Sequence, residues 1–213
     1  MLNKTSGISV HGGSGINAGI IEILRIIRVD IFFLELVHRL DKDTSGILLL
    51  AKKKSVLRNL HQQLREKKIK KYYIALVHGL FKTQKIITNF PILKKKNKFN
   101  LMSIHKNGKP SKTIFTIKKI FLNSTLVRIH PITGRTHQIR IHASKIGHPI
   151  LYDSKYGNNN LNLKINKILQ KKRLFLHAYQ IFFLHPKNNK KMCIKAPLDQ
   201  RFENAIKILS KNN

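Results

Sequence analysis

Leu34-Glu35-Leu36-Val37-His38-Arg39-Leu40-Asp41-Lys42-Asp43-Thr44-Ser45-Gly46-Ile47-Leu48-Leu49-Leu50-Ala51 is the stretch on which the reading of this chain turns. Two apolar runs, 34–37 and 47–51, flank the polar turn 41–46, the pattern of two strands joined by a loop. Loops carried by buried strands are where binding and catalytic groups concentrate. Toward the N-terminus, Ile16, Ile20, Leu24 and Ile27 recur at helical spacing after a Gly/Ser-rich loop, and Met1-Leu2-Asn3 reads as a short strand. Toward the C-terminus, Ser55 is placed to cap a helix carrying Val56, Leu60 and Leu64 on one face, and a strand follows at 72–77. Further strands are expected at 86–93, 113–120 and 125–130, with the basic turn Lys94 to Lys98 after the first. Thr136 is placed to cap a short helix ending before Gly147, and 174–184 suits one bent strand or two short ones. A last helix from Asp199 buries Phe202, Ile206 and Leu209, while Asn158 to Lys172 reads as a surface insertion. Strands outnumber helices without alternating with them, so the fold class is α+β with a largely antiparallel sheet.

The 213 residues carry 42 Lys+Arg against 9 Asp+Glu, a formal charge of +33. Such an excess points to a polyanionic partner, most simply nucleic acid. Heavy use of Lys, Asn and Ile is also what an AT-rich genome produces, so drift accounts for part of it. A lone cysteine, Cys193, cannot close an internal disulfide, and no signal peptide opens the chain; a cytoplasmic location is expected. No apolar stretch reaches the ~20 residues that a membrane crossing needs, and no membrane partner is expected.

Acidic residues are scarce, which shortens the search for catalytic ones. Most fall in expected helices or at their ends, where capping or solvation explains them. Asp41 differs because it sits in a polar loop between buried strands, in a chain crowded with cations; a carboxylate there stays ionised and can act as nucleophile or base. Its neighbour Asp43 makes a poor glycosidase partner, since two carboxylates two residues apart on one loop do not flank a sugar. No Gly-x-Ser-x-Gly elbow accompanies the glycine loop at 11–15, and no Gly-Lys-Ser/Thr follows it, so serine hydrolase and P-loop readings fail. His38, His137, His142, His148 and His177 lack thiolate partners and His-Glu-x-x-His spacing, and no metal is expected.

Asp41 belongs to His38-Arg39-Leu40-Asp41 with Thr44-Ser45-Gly46, and four further blocks follow in order. They are Lys71-Tyr72-Tyr73-Ile74-Ala75-Leu76-Val77; Pro131-Ile132-Thr133-Gly134-Arg135-Thr136-His137-Gln138-Ile139-Arg140; Gly147-His148-Pro149-Ile150 with Asp153, Lys155, Tyr156 and Gly157; and Arg173-Leu174-Phe175-Leu176-His177-Ala178, then His185-Pro186 and Pro197-Leu198. Five ordered blocks over nearly the whole chain resemble the ribosomal large subunit pseudouridine synthases. Within that family, His11-Gly12-Gly13-Ser14-Gly15, Phe33-Leu34-Glu35-Leu36-Val37 and Gln63-Leu64-Arg65-Glu66-Lys67 are most similar to type C.

The resemblance implies the pseudouridine synthase catalytic fold, a mixed, mainly antiparallel sheet with flanking helices and a central catalytic cleft, as a single domain over 1–213. It implies isomerisation of specific uridines in 23S ribosomal RNA, with that RNA as partner, no cofactor and a monomeric enzyme. Asp41 takes the position of the family's essential aspartate, Tyr73 that of its active-site tyrosine and Arg140 that of the arginine expected to pair with Asp41. Arg39 matches the residue that fills the space left by a flipped base. Leu174 or Leu176 would floor the ring, and His38, Thr44, Arg135 and His137 are expected to contact substrate or RNA. Whether Asp41 attacks the sugar, attacks the base or removes a proton from the sugar is left open.

Two departures qualify this. The family's Lys-Pro-x-Gly is here Lys4-Thr5-Ser6-Gly7 after a very short strand, so an incomplete sheet edge is expected. The S4-like RNA-binding domain of types C and D is also missing from the sequence, leaving the excess charge as a non-specific substitute. The competing expectation is a catalytically idle RNA-binding or ribosome-assembly remnant of the same fold.

Overall fold

Buried apolar runs at 45–48, 70–78 and 176–184 and alternating apolar residues at 113–121 and 124–131 build strands, with helices between them. The structure, a computed structural model, describes residues 1–13, 18–95, 101–166, 169 and 173–211. In chain order the elements are β1 (Leu2–Lys4), α1 (Ile20–Ile27), β2 (Glu35–Leu36), β3 (Ser45–Leu48), β4 (Leu50–Ala51), α2 (Lys54–Arg65), β5 (Lys70–His78), β6 (Lys85–Thr88) and β7 (Ile92–Lys94). They continue with β8 (Met102–Ile104), β9 (Thr113–Phe121), β10 (Ser124–Pro131), α3 (Gln138–Lys145), α4 (Asn159–Asn166), β11 (Leu176–Leu184), β12 (Lys191–Lys195) and α5 (Gln200–Lys211). The pairs β1–β3, β2–β4, β5–β10, β6–β9, β7–β8, β9–β10 and β11–β12 are antiparallel, in line with the mainly antiparallel α+β arrangement expected. The chain divides into two compact units, Met1–Lys71 with Ala178–Pro197, and Tyr72–His177 with Leu198–Asn213.

In the first unit, β1 pairs with β3 from Leu2 opposite Leu48 to Lys4 opposite Gly46. The short β2 and β4 pair beside them, and β11 turns back as β12. The strands bury Val37, Ile47, Leu49, Ala51, Ile181 and Ala196, and α2 closes this core with Leu60. Helix α2 starts two residues earlier than expected: Lys53 is its N-cap, with no side-chain cap, and Ser55 lies inside the first turn. In α1 only Ile20 and Ile21 are buried; Ile27 is exposed, contrary to the expected stripe, and Ile16 lies outside the described residues.

In the second unit, β5, β10, β9 and β6 lie side by side in that order as antiparallel strands, with a bulge between Leu126 and Val127. The strand expected at 86–93 is two strands, because Pro91 lacks the N–H that a continuous ladder needs, and the chain turns there into the β7–β8 hairpin. Of the basic turn Lys94 to Lys98, residues 96–98 lie outside the described set. The segment read as a surface insertion contributes to the interior instead: Ile165 and Leu169 are buried, and Asn162 Oδ1 accepts from Tyr152 N at 3.0 Å and lies 2.9 Å from His78 Nε2. A polar, Asn-rich composition hides two apolar anchors from a composition-based reading. Helix α5 buries Phe202, Ala205 and Leu209, with Ile206 half-buried.

Candidate active site

The loop holding Asp41 is fixed by backbone. Thr44 N donates to Asp41 O at 3.1 Å, closing a tight turn, and the segment 4–7 grips that turn from its outer side. Lys4, only 1% exposed, spends its ammonium on three carbonyls, Thr5 O at 2.9 Å and Ile8 O and Lys42 O at 2.8 Å. Gly7 N donates to the same Lys42 O at 3.0 Å, and Ser6 Oγ to Asp43 O at 2.6 Å. A buried charge is tolerated only when its donors are met, so Lys4 is a fastener for the turn beside Asp41. The sequence places it at the head of Lys4-Thr5-Ser6-Gly7 but assigns it no role, one cation among 42 Lys+Arg.

Gly46 is required on two grounds. Its φ of +108° disfavours any L side chain, and a Cβ there would stand 2.3 Å from Ala178 O. Gly46→Ala is therefore expected to destabilise the fold by about 3 kcal/mol or more, read from denaturant unfolding. A loss below about 1 kcal/mol would mean that β3 is not locked against Ala178.

Asp41 itself is half-buried, Thr44 is buried and Arg39 is exposed, its Nη1 3.4 Å from His11 Nε2. His38 points into the unit: Nε2 accepts from Leu49 N at 3.2 Å, and Nδ1 is buried without a partner. Burial first, and the charge of Lys71 second, push its pKa down to about 3. A neutral imidazole is thus built into the strand pair. In the unfolded chain His38 takes up a proton below about pH 6.5, while the folded chain resists until about pH 3. Stability is full above the unfolded pKa and falls as pH drops through that window, by a few kcal/mol at most. His38→Gln should flatten this slope in unfolding titrations from pH 7 to 4.

In the second unit, Tyr73 lies on the buried face of β5, opposite Ile129 of β10. The turn before α3 is organised by Gln138, whose Oε1 accepts from Thr133 Oγ1 at 2.7 Å and Arg135 N at 3.0 Å, while Nε2 donates to Lys112 O at 2.9 Å. Thr136 is not the cap: His137 holds that place in the left-handed conformation, φ 54°, and its Nδ1 lies 2.7 Å from Tyr156 Oη. Arg135 is exposed, with Nε on Pro110 O at 3.1 Å.

Arg140 forms a fork with Asp153, Nε to Oδ2 at 2.8 Å and Nη2 to Oδ1 at 2.6 Å, both residues 2% exposed. Oδ1 also accepts from Lys155 N at 2.9 Å and Tyr156 N at 3.0 Å. Burial alone would raise the Asp153 carboxyl, but the Arg140 hydrogen bond and charge, with those two amides, hold its pKa below the ordinary value. The Tyr156 ring, 5.3 Å from the guanidinium, completes the setting. Asp153 and Tyr156 stand in the quoted motifs but had no assigned role; the pair is invisible until the chain folds. Leu174 and Leu176 are both buried.

The RNA pseudouridylate synthase family profile matches residues 1–145, and the chain belongs to that family. It is 55% identical over 208 residues to the ribosomal large subunit pseudouridine synthase C of Buchnera aphidicola subsp. Acyrthosiphon pisum, covering 97% of this chain and 66% of that protein. It is 50% identical over 205 residues to the protein of the same name from Haemophilus influenzae, covering 95% and 63%. The chain thus spans about two thirds of the length of these relatives. Among solved structures, human RNA pseudouridylate synthase domain containing 4 superposes with a TM-score of 0.81 at 25% identity, over 98% of this chain and 88% of that one. Human RNA pseudouridylate synthase domain containing 1 shares the fold, with a TM-score of 0.78, 24% identity and coverage of 95% and 82%.

Proposed function

We propose that this chain isomerises specific uridines of large-subunit ribosomal RNA to pseudouridine, with Asp41, Tyr73 and Arg140 acting in that reaction. The observation that carries the reading is the Asp41 turn, held by Lys4, Ser6 and Gly7 in a chain of the RNA pseudouridylate synthase family. The reaction breaks the N1–C1′ bond, turns the uracil and joins C5 to C1′; C5 loses its proton and N1 gains one. It is redox-neutral, so no cofactor enters. An ionised carboxylate positioned on a rigid turn can serve as nucleophile at the base or sugar, or as the base that takes a sugar proton. Tyr73 would supply an aromatic face and a hydroxyl for proton movement, and Arg140 positive charge.

Arg39 would take the place of the extruded nucleotide, with Arg135 and His137 on phosphate or ribose and Leu174 and Leu176 under the ring. His38 and Thr44 act through the shape of the Asp41 loop. The enzyme works as a monomer in the cytoplasm; among the described residues no helix is long and apolar enough to cross a membrane. The test is tritium release from 23S transcripts labelled at uridine C5, followed by mapping of pseudouridine in the product. Release at discrete uridines is expected; tight RNA binding without release would favour the idle-remnant reading.

A further inference from the structure

Successive residues of a strand point to opposite faces, so the β5–β10–β9–β6 sheet has a second face, turned away from Tyr73. On the Tyr73 side, Val127, Ile129, Phe115 and Thr88 are buried. On the other side, two rows cross the sheet. In one, Ile87 of β6 pairs with Ile114 of β9, and Ile114 with His130 of β10. In the next, two residues along each strand, Lys85 pairs with Thr116 and Thr116 with Arg128. Tyr72 of β5 adjoins both rows.

These groups are assembled for stacking. The Tyr72 and His130 rings lie 4.6 Å apart at 25°, and the Arg128 guanidinium sits 3.9 Å from the Tyr72 centroid. Tyr72, His130, Arg128, Ile114 and Thr116 are half-buried, Lys85 is exposed, and Ile87 is 49% exposed. An interior would bury such a set; here Ile87 and the half-buried Ile114 leave apolar surface beside the stacked rings. One row thus offers π and apolar surface, and the row beside it offers cations and a hydroxyl.

We propose that this face binds single-stranded RNA, a base extending the Arg128–Tyr72–His130 stack or lying on Ile114 and Ile87, with Arg128 and Lys85 on the phosphates. Every base has a π-face, so stacking of this kind is sequence-tolerant, and sheet surfaces carrying aromatics are suited to it. A peptide partner fits less well, because the row of cations in so basic a chain repels most cellular proteins less than it attracts a polyanion. The platform serves a protein that modifies RNA, and so rests on the RNA-modifying reading of the protein.

The experiment measures fluorescence anisotropy of a labelled single-stranded 12-nucleotide RNA and of a duplex of the same length. The proteins are wild type, Tyr72→Leu/His130→Ala and the charge control Lys85→Ala, each checked by circular dichroism. Tritium release from labelled 23S transcript is followed in parallel. The double variant should bind the single strand about 5- to 100-fold more weakly, with the duplex little changed. Lys85→Ala should weaken both and lower the salt slope. Equal single-strand affinity in wild type and double variant would overturn the proposal, as would the same loss on duplex, which would mean charge alone. Tritium release by wild type alongside unchanged single-strand binding sinks the platform and spares the enzyme. No release by wild type with a selective single-strand loss sinks the enzyme reading and leaves the platform standing. If the double variant is misfolded, Tyr72→Phe and His130→Phe, which keep the rings, must retain binding.

Discussion

Asp41→Asn should lower tritium release from labelled rRNA on the order of 10³- to 10⁴-fold, with the thermal midpoint unchanged within a degree or two. Asparagine keeps the shape of aspartate, and the turn is closed through the Asp41 backbone carbonyl, so the substitution leaves that closing hydrogen bond in place. What is lost is the carboxylate proposed to act in the reaction, and the Lys4–Ser6–Gly7 grip, made on backbone carbonyls, does not replace it. Asp41→Glu retains the charge but moves it by about one bond length, which costs on the order of 10²-fold when placement matters. Turnover by Asp41→Asn within tenfold of wild type would remove Asp41 from the chemistry.

Asp153→Asn is expected to cost about 3–5 kcal/mol of stability, because it takes the bidentate carboxylate away from a buried guanidinium. Arg140→Met should cost a similar amount, and the double variant Arg140→Met/Asp153→Leu markedly less than the two together, since both charges then leave the interior. Urea unfolding of the three proteins measures this. Additive losses would show that the fork is not the source of the penalty. The pH dependence has a definite sign. The folded pKa of Asp153 is depressed, so its contribution is present above the unfolded carboxyl value near 4 and is lost as pH falls through the folded value. The His38 loss lies at higher pH, below about 6.5, so acid unfolding should show two separable slopes, and Asp153→Asn should erase only the more acidic one.

Alternation at 113–121 and 124–131 identified β9 and β10, and the 125–130 and 113–120 expectations fall inside them. Helices α2 and α5 were legible from their apolar stripes. Their caps were not: Ser55 and Thr136 have capping side chains by type, but Lys53 and His137 occupy the cap positions, because strand ends and the Gln138 hydrogen bonds decide where each helix begins. The 158–172 segment was misjudged because composition reports average polarity, whereas burial is a property of single residues such as Ile165 and Leu169.

The sequence by itself determined the strand–turn–strand around Asp41, the antiparallel α+β class, the order of the five motifs and hence the family. Those are properties of local period, turn chemistry and spacing, which neighbouring residues specify among themselves. Only the tertiary structure decided that Lys4 fastens the turn, that Asp153 is the fork partner of Arg140, and that Tyr72, Arg128 and His130 meet on one face. In a chain with 42 Lys+Arg, any of many cations could meet a given carbonyl or carboxylate. Which one does is settled by chain closure and burial, where an unmatched donor costs more than any local preference supplies.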